Sequence, residues 1–168
     1  VGHPAKMTHG HVMSLIHSGV PTIFYPSVLF EQEEQKSAQN HYNCPIVQSY
    51  PEVIKNNIDE IRDGKVGYIH PFINLADPLG VSNNVLSALT KAGFFLTEDE
   101  VKNAVTHGFE ALENFKKDLR QKAEELLVKV NLNKEKAIVL AGRPYHLDPE
   151  INHGIADIIT QEGFHVIP

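Results

Sequence analysis

The chain has 168 residues, 42% hydrophobic and 21% charged, with a formal net charge of −6. That balance belongs to a globular chain able to bury a core, and an acidic excess without a basic stripe argues against a nucleic-acid surface. No stretch reads as a membrane span or secretory signal, and the single cysteine rules out an internal disulfide framework, so the expected location is cytoplasmic.

Residues 4–18, "PAKMTHGHVMSLIHS", place Val12, Leu15 and Ile16 at helical spacing, with Pro4 in the first turn and Gly19 beyond the last. They predict a helix. "PTIFYP" predicts a short buried strand centred on Ile23 to Tyr25, and Ser27 is placed at the end of another strand, before the acidic residues Glu31, Glu33 and Glu34. "CPIVQSYPEVIKNNIDEI" predicts a strand at Ile46 to Gln48, a loop at Ser49 and Tyr50, and a helix from Pro51. "VGYIHP" predicts a third strand, and residues 83–92 a helix carrying Val85, Leu86 and Leu89.

Thr97 and Glu100 have capping-box spacing at the head of a long helix. Val101, Val105, Phe109, Leu112, Phe115, Leu119, Ala123, Leu126 and Val130 keep one of its faces apolar. "KAIVLAG" then opens a further strand, and Asp148 before Pro149 starts a helix whose buried face is Ile151, Ile155, Ile158 and Ile159. "GFHVIP" begins one more strand.

Strands alternating with helices imply parallel pairing through right-handed crossovers. The expected fold is α/β: Rossmann-like parallel sheet units with a long connecting helix. The expected organisation is a first α/β lobe over 1–95, truncated at its N-terminal side, the connecting helix over 97–130, and the start of a second α/β unit over 135–168. With no initiator methionine and a strand only just begun at Pro168, the chain reads as a fragment of a larger polypeptide.

The densest polar stretch is "AGRPYHLDPEINHG", residues 141–154, at the mouth of a strand, where open α/β sheets hold ligands. Capping accounts for Asp148 and Pro149 but not for Arg143, Tyr145, His146 and His153 together. As a phosphate cradle the loop has one glycine at its turn, and its anionic cap competes for the helix dipole. Lys6 and His9 share a helix face and suit an anion, whereas His9 and His11, two apart, point in different directions and make a poor metal pair. The proposed architecture sets the 141–154 loop across a cleft from residues 4–11. Arg143 would supply the charged fork and His146 and His153 would tune it. Cys44 in "HYNCPIV" reads first as a small buried hydrophobe, and a tetrahedral sulfur site needs thiolates this chain does not have. The phosphate-loop and nucleophile-elbow motifs are missing.

"HPAKMTHGHVMSLIHSGVPTIFYPSVLFEQ", "NHYNCPIVQSYPEVIKNNID" and "VLAGRPYHLDPEINHGIADII" closely resemble the middle region of the large acyl-CoA dehydratase activase-related proteins, relatives of the 2-hydroxyglutaryl-CoA dehydratase activator. The resemblance implies ATP-driven, low-potential electron transfer through iron–sulfur clusters. It also implies partners in other domains of the same polypeptide and in an acyl-CoA dehydratase or electron-transfer protein. It implies cluster cysteines at positions that here read Gly2, Ser27 and Cys44, so Cys44 is the metal position it carries over. Serine and glycine do not replace soft thiolates for iron. No cofactor is expected in this fragment; cluster and ATP belong to other parts of the family's polypeptide.

The resulting expectation is a scaffold or docking segment without catalysis of its own. The alternatives are a phosphate or acyl-CoA binding module using Lys6, His9, Arg143 and His146, and a metal-dependent hydrolase using His146, Asp148 and His153.

Overall fold

The computed structural model describes residues 3–142, 146 and 148–167. The chain divides into two compact units, Val1–Phe109 and Glu110–Pro168, and the division falls inside the long helix. The fold is α/β, and the named strands among the described residues all pair in parallel.

The first unit begins with α1 (His3–His17), which stops at Gly19 in a left-handed conformation. A two-stranded parallel ribbon follows. β1 (Thr22–Phe24) pairs with β3 (Gly67–Ile69), and β2 (Ser27–Phe30) pairs with β4 (Phe72–Asn74). Thr22 faces Gly67 and Ser27 faces Phe72, so both pairs share an offset of 45 positions (67 minus 22, 72 minus 27) as far as Val28–Ile73, after which a bulge brings Phe30 opposite Asn74 and turns the Leu29 carbonyl outward. They are one ribbon with a local gap. At that offset Pro26 lies opposite Pro71, where the ladder is interrupted.

The hydrogen bonds give the reason for the gap. Tyr25 N donates to Ile69 O (2.8 Å) and Ser27 N to Pro71 O (2.9 Å). In a parallel ladder, residue 71 would return a bond to the carbonyl of Tyr25, and proline has no N–H to do so. Ser27 therefore begins β2 rather than ending a strand as the sequence suggested.

Helices cover both faces of the ribbon, as parallel strands require. Ile23, Tyr25 and Tyr68 lie against α1, α2 (Pro45–Asn57) and α3 (Asp59–Arg62), in a core with Ala5, Val12, Tyr50, Ile54, Ile58 and Ile61. The opposite face carries buried Ile69 and Ile73 and meets α4 (Pro78–Lys91), where Val81 is buried.

Residues 46–48 correct the sequence reading: they are the first turn of α2, not a strand. Cys44 precedes the helix in an extended conformation without a side-chain capping bond, Pro45 occupies the first turn, and Gln48 Nε2 donates to Asn43 O (2.7 Å). Pro51 is not the helix start but sits inside α2, fully buried. Proline inside a helix costs about 3 kcal/mol, which burial of its ring in the core offsets in part. α4 begins at Pro78 rather than 83, because Asp77 Oδ1 accepts from Gly80 N (3.0 Å) and Pro78 is preset for a first turn. β4 was not anticipated.

The capping box at the head of α5 (Glu98–Asn133) is present as expected. Glu100 Oε2 accepts from Thr97 N and Oγ1, both at 2.8 Å, and Glu100 N donates to Thr97 Oγ1 (3.2 Å). These bonds hold the Glu100 carboxyl below its ordinary range, the backbone bond first. The apolar seam of α5 is unevenly covered: Val101 and Val130 are buried, Val105, Phe109, Leu112, Ala123 and Leu126 half-buried, and Phe115 and Leu119 exposed.

In the second unit β5 (Ala137–Val139) pairs with β6 (His165–Ile167), and α6 (Pro149–Asn152) and α7 (Ile155–Gln161) lie between them in the chain. The single helix expected after Asp148 is broken, because His153 and Gly154 are both left-handed. The isoleucine face expected on it is not buried: Ile151 and Ile159 are half-covered, and Ile155 and Ile158 are exposed. His165 Nε2 lies 2.6 Å from Glu135 Oε2, a bond that lowers the Glu135 pKa.

Candidate functional site

The 141–154 loop is held by local chemistry. Asp148 Oδ1 accepts from Glu150 N (2.9 Å) and Ile151 N (3.2 Å), so its carboxylate caps α6 as the sequence predicted. Asn152 Oδ1 accepts from Gly154 N (2.8 Å), turning the chain into α7. The ring of His146 lies so close over Gly142 that a Cβ there would stand 2.6 Å from Nδ1, which is why the turn carries glycine. His146 and His153 are exposed. Arg143 and Tyr145 lie outside the described residues.

Lys6 and His9 stand on α1, Lys6 exposed and His9 half-buried. They belong to the first unit, and His146, Asp148 and His153 to the second. Among the described residues, no group of three or more His, Cys, Asp or Glu side chains could hold a metal.

Sequence reasoning missed a polar cluster beside the ribbon. Tyr68 and His70 are stacked with ring centroids 5.1 Å apart, and His70 Nε2 lies 3.0 Å from Glu52 Oε1. Tyr68 Oη donates to Pro51 O (2.9 Å), a carbonyl of α2. Burial, then the neighbouring Tyr25 and Glu52, push the Tyr68 phenol well above its ordinary range. Tyr25 is raised too, chiefly by burial, against a hydrogen bond with Thr8. Both phenols therefore act as neutral hydrogen-bonding groups near pH 7, while His70 and Glu52 form an ion pair whenever the imidazole is protonated. The alternation in "GYIHP" puts Tyr68 and His70 on one strand face, and that is the signal that could have found them.

Next to this cluster runs a groove of about 470 Å³ lined by Tyr68 to Phe72 on one side and by Asn84, Ser87, Ala88, Lys91 and Ala92 on the other. A second, almost wholly apolar recess of about 370 Å³ lies among Phe24, Val85, Leu89, Leu96, Val101 and Val105.

The family model for the CoA enzyme activase uncharacterised domain (DUF2229) matches residues 3–168, nearly the whole chain. The chain belongs to this family. No curated protein and no solved structure matches it.

Within this CoA enzyme activase domain, the cluster that the resemblance implies meets an unsuitable donor set. Cys44 is the only cysteine and is half-buried at the head of α2. Ser27, at a second expected thiolate position, is completely buried, and its Oγ has no hydrogen-bond partner. Gly2, at the third, has no donor side chain and lies outside the described residues. Iron–sulfur clusters are held by several soft thiolates, and one thiol with one hard hydroxyl does not fit that need within one chain.

Proposed function

We infer that this domain is a docking or scaffold segment of a CoA enzyme activase in the 2-hydroxyacyl-CoA dehydratase system. It serves ATP-driven, low-potential electron transfer without catalysis of its own. The observation that carries this reading is the family match over residues 3–168 in a chain with a single thiol. The use of Asp148 and Asn152 on loop amides supports it, because those groups are committed to shaping the turn. No helix among the described residues is long and apolar enough to cross a membrane.

The test is to titrate the purified chain with ATP, CoA and a 2-hydroxyacyl-CoA in a thermal-shift assay, and to attempt anaerobic reconstitution with iron and sulfide. The expected result is no turnover, no ligand-dependent shift and no stoichiometric charge-transfer absorption. A cluster held within one chain, or ATP turnover above background, overturns the reading. A shift with the CoA thioester alone selects a ligand-binding module instead.

A further inference from the structure

The ribbon of the first unit has two edges, and the chain treats them differently. Along the β1–β2 side, Tyr25 and Ser27 direct their N–H groups inward to Ile69 O and Pro71 O, so the position of Pro26 faces outward. Having no N–H, Pro26 offers an incoming strand only its carbonyl there, although Phe24, two positions earlier, also faces outward. Further along, residues 41–43 cover the same edge: Asn43 N donates to Leu29 O (3.1 Å) and Glu31 N to His41 O (2.9 Å).

Among the described residues, the β3–β4 side has no pairing strand. Gly67 N donates inward to Pro21 O (2.9 Å), so by alternation positions 69 and 71 also face inward and Tyr68, His70 and Phe72 face out. Asn84 Nδ2 reaching Phe72 O (2.9 Å) from α4 confirms that phase. Among the described residues, no strand lies beyond this edge. Its outward N–H groups at 68, 70 and 72 and carbonyls at 68 and 70 line the groove of about 470 Å³ beside α4.

We propose that this edge docks an extended, acid-bearing segment of a partner protein, added as a third strand beside Tyr68–Phe72. Donors and acceptors recurring at every second residue match the backbone of an extended polypeptide. Ser87, Ala88 and Ala92 are small and leave room for the alternate side chains that such a strand turns toward α4. Lys91 stands exposed at the groove's rim and has no ion pair among the described residues, which favours a carboxylate on the incoming segment. The proposal rests on the docking reading above and names the kind of partner it takes.

The experiment uses the whole chain, uniformly labelled for amide spectra, and the blocked peptide Thr-Val-Glu-Val-Thr-Val-Glu as probe, titrated to about 1 mM. Saturable shifts are expected at the amides of Tyr68, His70 and Phe72, with the β1 amides unmoved. Lys91→Glu, an exposed change that leaves the fold intact, is expected to weaken binding roughly two- to fivefold. The same variant is expected to favour a peptide with lysine in place of glutamate. No saturable shift at those three amides, or shifts confined elsewhere, overturns the proposal. So does a shift of the same amides on simple dilution of the unliganded chain, which would assign the edge to a second copy. ATP turnover or cluster formation would sink the non-catalytic reading and leave these amide shifts standing, so the two failures are distinguishable.

Discussion

Ser27 is the one buried side-chain polar atom without a hydrogen bond among the described residues, and it can be tested directly. Replacing it with alanine removes the hydroxyl and keeps the backbone bond from Ser27 N to Pro71 O. A buried group without a partner costs about 1–3 kcal/mol in lost hydration, and Ser27→Ala recovers that. The oxygen leaves a void of roughly 10 Å³, which at about 24 cal/mol per Å³ takes back only about 0.2 kcal/mol. The expected net effect is a stabilisation of about 1–3 kcal/mol. The assay is urea unfolding followed by tyrosine fluorescence, which reports on the first unit through Tyr25, Tyr50 and Tyr68. The midpoint should rise with the slope unchanged. A fall of 1 kcal/mol or more would show that the hydroxyl is bonded in solution and would refute the reasoning.

Thr97→Ala removes one half of the capping box and is expected to cost about 1 kcal/mol, read as faster amide exchange in the first turn of α5. Glu100 and Glu135 have folded-state pKa values depressed below the ordinary glutamate value, by bonds to Thr97 and His165 respectively. Their contributions are full above that ordinary value and are lost as pH falls through the folded values, so acid titration followed by helical circular dichroism should show loosening below about pH 4. Loosening on the alkaline side instead would contradict the assignment. His153 is left-handed at the break between α6 and α7, so His153→Gly should stabilise the second unit by about 1 kcal/mol, measured by thermal unfolding.

Features decided by neighbours in sequence were legible. The Thr97–Glu100 box and the Asp148 cap need only a side chain and amides two or three residues away, and both form as read. Residues 46–48 were not legible, because the run "PIVQ" suits a strand or a helix equally. What decides it is the Cys44–Pro45 entry and the bond from Gln48 back to Asn43. β4 is three residues long, too short to carry a periodic signal. The candidate loop was legible as a capped turn, while the Glu52–His70 pair and the Tyr68 bond to Pro51 join elements 17 or 18 positions apart and exist only once α2 lies on the ribbon.

The prolines carry the same argument to the edge of the sheet. "IFYP" and "YIHP" look alike as strings, each a short apolar strand closed by proline. Nothing in either string says whether the missing N–H belongs to the ladder or to the open side. Pairing at an offset of 45 decides it, turning Pro26 outward and Pro71 inward. A slip of one residue along one strand would change that strand's side-chain face and the direction of its amides together. The buried face with Ile23 and the α2 core fixes the register. The core therefore determines indirectly which proline is lost from the ladder and which stands on the outer edge.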